Sequence, residues 1–181
     1  MIVRAAAPDD AEALAVIYGH HVLTGFGTFE GEAPSANDMA ERLAAVQTLG
    51  LPYLVAEIEG RVSGLAYAAP FRPRAAYRYT VEDSIYVAPD RVGQGVGKRL
   101  LGAVIETCQT LGFRQMVAMI GDSGNAASIA LHRSLGFRPV GVFEGLGYKA
   151  GRWVDVAMMQ RALNGGVALP PGEGGLDLHG H

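Results

Sequence analysis

Apolar residues recur along this chain with two different periods, and each period predicts one type of secondary structure. Leu14, Ile17 and Tyr18 stand at positions i, i+3 and i+4, as on one face of a helix, and similar spacing recurs later. Helices are therefore predicted at residues 8–22, 35–49, 96–111 and 125–135. Runs rich in β-branched and aromatic residues, separated by turn residues, predict strands. These strands are predicted at residues 1–6, 53–59, 61–69, 79–87, 115–121, 137–145 and 152–161.

The order of these elements is β-α-α-β-β-β-α-β-α-β-β. Such an order is typical of an α/β (α+β) domain, with a mixed sheet and helices on both faces. From Asn164 onward Gly and Pro dominate the composition. We therefore expect one folded domain over residues 1–163 and a flexible Gly/Pro-rich tail over residues 164–181. The tail's His179 and His181 are too few for a metal site, and no metal is expected.

Composition narrows the class of protein. The 181 residues are 49% hydrophobic, which is enough for a substantial core, and the formal net charge is −3. No Lys/Arg-rich block occurs, so a nucleic-acid surface is not expected. No apolar run approaches the length of a membrane span and no signal peptide is evident, so we expect a cytoplasmic protein without a membrane partner. The single cysteine, Cys108, lies on the apolar face of a predicted helix, which favours a buried structural thiol over a nucleophile.

A glycine-rich turn between a predicted strand and a predicted helix is the strongest chemical signal. Residues 92–98 read Val-Gly-Gln-Gly-Val-Gly-Lys. The first turn of a helix has unpaired N–H groups and partial positive charge, and glycines let a phosphate come close. A P-loop would need Ser or Thr where Arg99 stands, and in a dinucleotide fingerprint the third glycine would come one residue later. The turn thus predicts a phosphate-bearing ligand, unless its glycines serve only close packing at a helix entry.

Several motifs together resemble one known family. The x-x-G-x-G turn is similar to the pyrophosphate loop of the GNAT acetyltransferase superfamily, and the helix from Asn125 to Phe137 resembles its N-x-x-[SA]…G-F element. The segment 72–87, the pair Leu131-His132, and the stretches 147–149 and 153–156 are similar to the phosphinothricin N-acetyltransferase branch. That branch also acetylates methionine sulfone and methionine sulfoximine. The resemblance extends over residues 1–163.

The resemblance implies a mostly antiparallel, twisted sheet of about seven strands, a homodimer, and acetyl-CoA as co-substrate. It implies acetyl transfer to the amine of a small amino acid of the phosphinothricin or methionine sulfone/sulfoximine type. At Val92 the chain departs from the family, in which Arg or Gln generally stands, so one side-chain contact to the cofactor is lost. The implied cofactor-binding residues are Ile85, Tyr86, Val87, Gly93, Gln94, Gly95, Val96, Gly97, Lys98, Asn125 and Ser128.

Two residues are candidates for the catalytic groups. Glu82 would take the proton of the amine, directly or through water, if burial raises its pKa; the alternative is an ordinary surface carboxylate. Asp83 must face the other side of the strand, which indicates a structural role. In the branch that the chain resembles, histidine stands at the position of His132 and would protonate the leaving thiolate. The alternative is a core histidine whose nitrogens bind backbone carbonyls.

The acceptor side is less specific. Arg72 and Arg74 flank Pro73 and would pair with the carboxylate of an amino-acid substrate, because guanidinium groups bind carboxylates bidentately. Aromatic and polar residues could line the pocket or belong to the core, namely Phe26, Thr28, Phe29, Glu30 and Tyr77. Two other functions stay open: an acetyltransferase for another amine (polyamine, aminoglycoside or protein N-terminus), or a non-catalytic CoA-binding module.

Overall fold

The computed structural model describes residues 1–168, 170–172 and 174–176. Its seven strands and four helices follow the predicted order, with boundaries within a few residues of those expected. Short 3₁₀ turns also occur at Pro8–Asp10, Ala75–Tyr77 and Pro89–Arg91. The strands are β1 (Ile2–Ala5), β2 (Tyr53–Ile58), β3 (Arg61–Pro70), β4 (Thr80–Val87), β5 (Gln115–Gly121), β6 (Arg138–Lys149) and β7 (Arg152–Ala162). The helices are α1 (Ala11–Thr24), α2 (Ala36–Thr48), α3 (Val96–Thr110) and α4 (Ala126–Ser134).

The strands form one mixed sheet in the order β1-β2-β3-β4-β5-β7-β6. All neighbouring pairs are antiparallel except β4 and β5, which run parallel. The predicted fold class is therefore confirmed. None of the helices in the described part of the chain is long and apolar enough to cross a membrane.

Two apolar cores hold the helices on opposite faces of the sheet. On one face, Leu14 of α1 and Leu43 of α2 pack with Leu65 of β3. On the other face, Leu100 of α3 packs with Val81 of β4. Strand β4 alternates between the two cores, because successive side chains on a strand point to opposite faces. Its even-numbered residues face α1 and α2, and its odd-numbered residues face α3.

Local capping signals are also realised. Ser35 caps α2: its hydroxyl accepts the N–H of Asp38 at 3.2 Å, and its own N–H donates to the Asp38 carboxylate at 2.8 Å. This reciprocal pair is the predicted capping box. Cys108 is fully buried, as expected, and burial raises the pKa of its thiol to about 12. The thiol is therefore protonated at neutral pH and is not a nucleophile.

We expected the tail to lie outside the folded core, but its described part packs against that core. Leu176 is only 3% exposed, belongs to the core on the α3 face, and donates its backbone N–H to the Arg78 carbonyl at 2.8 Å. The burial of one leucine and this backbone hydrogen bond hold the chain against the start of β4. Residues 169, 173 and 177–181, with the two tail histidines, lie outside the described residues.

Candidate active site

The main cavity opens where β4 and β5 separate. The two parallel strands pair from Thr80↔Gln115 to Asp83↔Ala118, and no pairing between them follows in this described part of the sheet. The backbone of β4 beyond Asp83 is therefore available on the side facing β5. The space between the separating strands is a cavity of about 680 Å³. It is bordered by the glycine-rich turn, by α4, and by the loop after α1.

The glycine-rich turn presents the N-terminus of α3 to this cavity. Gly93 and Gly95 adopt left-handed φ angles of +80° and +78°, which glycine accepts without strain. A Cβ built on either residue would meet no heavy atom within 4 Å. Gly97 differs, because a Cβ there would lie 3.2 Å from the Leu131 side chain on α4. Close packing therefore explains Gly97, whereas the first two glycines shape the turn and leave open space in front of it.

Most of the predicted cofactor residues border the cavity. Gln94 does not, because its side chain turns back and donates to the Asp90 carbonyl at 3.1 Å. No group of three or more His, Cys, Asp or Glu residues in the described ranges could hold a metal ion. The predicted residues that do line the cavity are Ile85, Tyr86, Val87, Gly93, Gly95, Val96, Gly97, Lys98, Asn125 and Ser128.

Arg91 is a cavity residue that the sequence analysis missed. Its nearest carboxylates, Glu59 and Asp90, are 3.7 and 3.8 Å away, beyond hydrogen-bond distance, and Asp90 is already paired with Arg61. The Arg91 Nε is buried without a hydrogen-bond partner among the described residues. The signal that could have found it is its position directly before Val92, where the family's basic residue is absent.

His21 is a second missed residue. Its Nε2 lies 2.9 Å from the Val87 carbonyl, which can only accept, so this nitrogen carries the hydrogen. The bond joins α1 to the end of β4 at the cavity wall. Helical spacing alone placed His21 among core residues and gave no indication of this contact.

Glu82 lies at the point where the two strands separate and faces the α1/α2 side of the sheet. Its carboxylate is half-buried and borders the cavity. Burial raises the pKa of Glu82, the negative charge of Asp83 raises it further, and the positive charge of Arg72 partly opposes both. This is the environment that a general base needs to accept a proton near neutral pH.

Asp83 and His132 form a buried pair on the opposite face. The Asp83 Oδ2 lies 3.0 Å from His132 Nε2, and the Ser128 carbonyl lies 2.7 Å from Nδ1. Burial lowers the pKa of His132, but the hydrogen bond and charge of Asp83 and the bond to the Ser128 carbonyl together outweigh it, so the net shift is upward. With the pKa of His132 raised, both ring nitrogens can donate, Nδ1 to the Ser128 carbonyl and Nε2 to Asp83 Oδ2. His132 is buried but also borders the cavity. Its Nδ1 contact with a backbone carbonyl fits the core histidine that the sequence left open, whereas its place at the cavity leaves the acid role a prediction.

The predicted substrate clamp is not assembled inside the cavity. Arg72, Pro73 and Arg74 are exposed and do not border it. The Arg72 guanidinium lies over the ring of Phe71, 5.2 Å from its centroid. The three residues belong to a loop before β4, so their side chains extend into solvent. Arg72 acts on the site through its positive charge, which lowers the pKa of Glu82.

A wall segment, residues 25–30, closes the α1/α2 side of the cavity. Gly25, Phe26, Gly27 and Phe29 border it. The Thr28 hydroxyl is 3.1 Å from the Tyr18 hydroxyl, which donates to Glu30 at 2.6 Å. Thr28 and Glu30 thus hold the segment in place. Tyr77, a further pocket candidate, is 42% exposed and does not border the cavity.

Comparison with known proteins gives a consistent result. The family model described as an acetyltransferase (GNAT) domain matches residues 3–158. The chain is 51% identical to a phosphinothricin N-acetyltransferase from Alcaligenes faecalis, over 93% of this chain and 86% of that protein. It is 39% identical to an L-methionine sulfoximine/L-methionine sulfone acetyltransferase from Salmonella typhimurium, over 91% and 95% of the two chains. A crystal structure of a phosphinothricin acetyltransferase from Sinorhizobium meliloti in complex with AcCoA has a TM-score of 0.92 and 46% identity, covering 96% and 94%.

These matches span nearly the whole domain, so the likeness extends to the whole fold and is not confined to one motif. They confirm the predicted family and acetyl-CoA as co-substrate. The chain belongs to the GNAT acetyltransferase family and is an acetyl-CoA-dependent N-acetyltransferase.

Proposed function

We propose that this enzyme acetylates the amine of a small amino acid of the phosphinothricin, methionine sulfone or methionine sulfoximine type. The observation that carries the proposal is one cavity that joins an open glycine-rich helix N-terminus to a half-buried carboxylate, Glu82. The relatives described above support the substrate class, because their names place phosphinothricin and methionine derivatives among the amines acetylated in this family.

The cavity fits the co-substrate. The open space before Gly93 and Gly95 and the N-terminal N–H groups of α3 suit a diphosphate. From Ile85 to Val87 the β4 backbone pairs with β3, and its side facing β5 can hold an extended chain as an added strand would. Arg91 and Lys98 supply positive charge beside the turn. Acetyl-CoA supplies the thioester whose acetyl group is transferred.

Glu82 acts as the base in this proposal. An α-amino group with a pKa near 8 is only about one-tenth neutral at pH 7, so the nucleophile must lose a proton. The raised pKa of Glu82 brings its proton affinity closer to that of the amine. The proton passes to the carboxylate directly or through one water molecule. The lone pair of the amine then attacks the carbonyl carbon of the thioester. As the C–N bond forms, the C–S bond breaks, and coenzyme A leaves as a thiolate that takes up a proton from solvent.

His132 has a positioning role in this proposal. Its two hydrogen bonds join β4, through Asp83, to the first turns of α4, which carries the cavity residues Asn125 and Ser128. The resemblance implies that His132 protonates the leaving thiolate. For this role, Nε2 of His132 would have to break its hydrogen bond to Asp83. If a His132→Gln variant keeps its acetyl-CoA affinity but loses turnover, the result would favour the acid role over the positioning role.

The substrate carboxylate would bind Arg72 or Arg74 at the entrance of the acceptor side. Arg72 already influences the pKa of Glu82, so a carboxylate held by this loop would lie near the base. A polyamine or aminoglycoside would be repelled by the same arginines. A protein N-terminus without a nearby carboxylate would not need these arginines.

The decisive experiment measures thiol release with acetyl-CoA and a panel of amines. We expect turnover with phosphinothricin, methionine sulfone and methionine sulfoximine, and little with polyamines or aminoglycosides. Glu82→Gln should reduce kcat with little change in the KM for acetyl-CoA. If coenzyme A binds but none of these amines releases thiol, the proposed substrate class is wrong. If only polycations react, the carboxylate clamp is wrong.

A homodimer is a second part of the proposal. Strand β6 is the last strand of the sheet, so no strand of the described part of the chain pairs with its outer edge. Its apolar side chains are unusually exposed. A second copy meeting this surface across a twofold axis would cover the same residues on both chains. Light scattering during gel filtration tests this, with Val142→Arg expected to give a monomer. The exposed residues are Val140, Val142, Phe143, Leu146 and Tyr148 on β6, and Trp153 beside them on β7.

The cellular setting is also proposed. We place the enzyme in the cytoplasm, without a nucleic-acid or membrane partner, because its only cysteine is a buried free thiol and its charge is near neutral. Cell fractionation tests the location.

A further inference from the structure

We propose that the β6–β7 hairpin positions the wall segment for the amine acceptor, and that Lys149 is the main positioning residue. The proposal rests on the proposed function, because it assigns the wall segment to the acceptor side of that same site. The segment directly follows α1, which packs on the sheet face of Glu82. It therefore lies on the side from which the amine must reach the base.

Lys149 ties the end of β6 to the backbone of the wall segment. Its ammonium donates to the Gly25 carbonyl at 2.9 Å and to the Thr28 carbonyl at 2.7 Å. These two carbonyls lie on either side of Phe26, which borders the cavity. Charge-assisted hydrogen bonds are stronger than neutral ones, so one side chain fixes the curvature of the segment. The ammonium of Lys149 is partly desolvated, and this burial lowers its pKa. The negative charge of the nearby Glu30 raises the pKa and partly offsets this effect.

The hairpin makes a second contact through Arg152. Its guanidinium lies over the Phe26 ring, 3.9 Å from the centroid, and donates to the Asp122 carboxylate at 2.6 Å. Asp122 thereby holds the guanidinium at a fixed point beside β5, and the cation–π contact places the ring against the cavity. Lys149 and Arg152 stand on the two strands of the same hairpin, so the two contacts act together.

Two glycines let the segment come this close. A Cβ on Gly121 would overlap the Phe26 carbonyl, and a Cβ on Gly147 would overlap the Phe29 ring. Any other residue at either position would push the wall segment outward. The far end of the segment is held independently, because Arg42 pairs with the Glu30 carboxylate at 2.8 Å. The wall is thus fixed from both sides, and the hairpin contacts are those next to the cavity.

The first test replaces Lys149 by Met, which keeps a side chain of similar length up to Cε and removes the ammonium donor. We expect the KM for the amine to rise about tenfold or more, since two charge-assisted hydrogen bonds are lost, while the KM for acetyl-CoA changes less than about twofold. Arg152→Met should act in the same direction with a smaller effect. Arg138→Met is the matched control, because Arg138 is an exposed β6 residue whose one hydrogen-bond partner among the described residues is Gln160. It should change neither constant.

Chemical rescue separates the positioning role from general destabilisation. In a Lys149→Cys variant, the new thiolate displaces bromide from 2-bromoethylamine, forming a C–S bond and restoring an ammonium at nearly the original length. Cys108 is fully buried and escapes alkylation. The KM for the amine should be raised in the cysteine variant and return toward the original value after alkylation. If Lys149→Met does not fold, Arg152→Met carries the test, because it removes the second contact of the hairpin with the wall segment.

The outcomes separate this inference from the proposed function. If the unmodified enzyme acetylates no amine on the panel, the proposed function fails. If that enzyme is active but Lys149→Met and Arg152→Met leave the KM for the amine unchanged, the positioning role of the hairpin is wrong. A rise in both KM values that alkylation does not reverse would also overturn it, because it would indicate a general structural role.

Discussion

The strongest test of the glycine-rich turn is the Gly95→Ala substitution, which adds one methyl group. The φ angle of this residue is +78°, and a Cβ there would meet no protein atom within 4 Å. The cost to the fold is therefore conformational alone, about 1–2 kcal/mol for an L-residue in the left-handed region. For a chain of this size that corresponds to a decrease in Tm of roughly 2–8 °C. The same methyl would project into the open space where we propose the diphosphate binds.

Gly50 provides a matched control. Its φ angle is +70°, a Cβ there also meets no atom within 4 Å, and it lies at the end of α2, outside the cavity lining. Gly50→Ala and Gly95→Ala should therefore lose similar amounts of stability in urea or thermal unfolding. Only Gly95→Ala should weaken coenzyme A binding, by about 10–100-fold, or roughly 1.4–2.8 kcal/mol, because the ligand can no longer approach the backbone.

Calorimetric titration with coenzyme A measures this difference directly. The reasoning is refuted if the two variants bind coenzyme A equally well after their similar loss of stability. It is also refuted if Gly95→Ala loses much more stability than Gly50→Ala, since the methyl would then meet protein atoms.

Further predictions concern charge, pH and the tail. Asp83→Asn removes a negative charge that raises the pKa of Glu82, so the acid limb of the kcat/KM profile should move to lower pH; an unmoved limb would contradict Glu82 as the base. The pKa of His132 is higher in the folded protein than in the unfolded one, so the proton on this residue stabilises the fold. This contribution to the unfolding free energy is fully present below about pH 6.5, and it is lost as the pH rises through the pKa of the folded state. Urea unfolding at pH 6 and 9 should show this loss in the original protein and not in His132→Gln. Arg91→Met should raise the KM for acetyl-CoA about threefold to tenfold and weaken its salt dependence, which kinetics at several ionic strengths can check. Leu176→Ala should cost about 2–3 kcal/mol of unfolding free energy while leaving kcat intact at low temperature; no loss would show that the contact of the tail is not stabilising.

Local patterns in the sequence determined the helices and strands, their order and the position of the glycine-rich turn. The capping box at Ser35, the turn at residues 59–60 and the glycines after β4 act over a few residues, so their effect can be predicted without knowing the partners of each strand. Strand alternation alone also placed Glu82 and Asp83 on opposite faces. The family resemblance added the co-substrate, which spacing could not identify.

Tertiary structure alone decided which distant groups meet. The separation of β4 from β5 after Asp83 depends on the register of strands far apart in sequence, and this separation creates the cavity. The pairing of His132 with Asp83 is likewise long-range, and so are the contact of Lys149 with the wall segment and the docking of Leu176. None of these contacts has a signature in local periodicity, because hydrophobic patterns specify which face of an element is buried and not which element covers it.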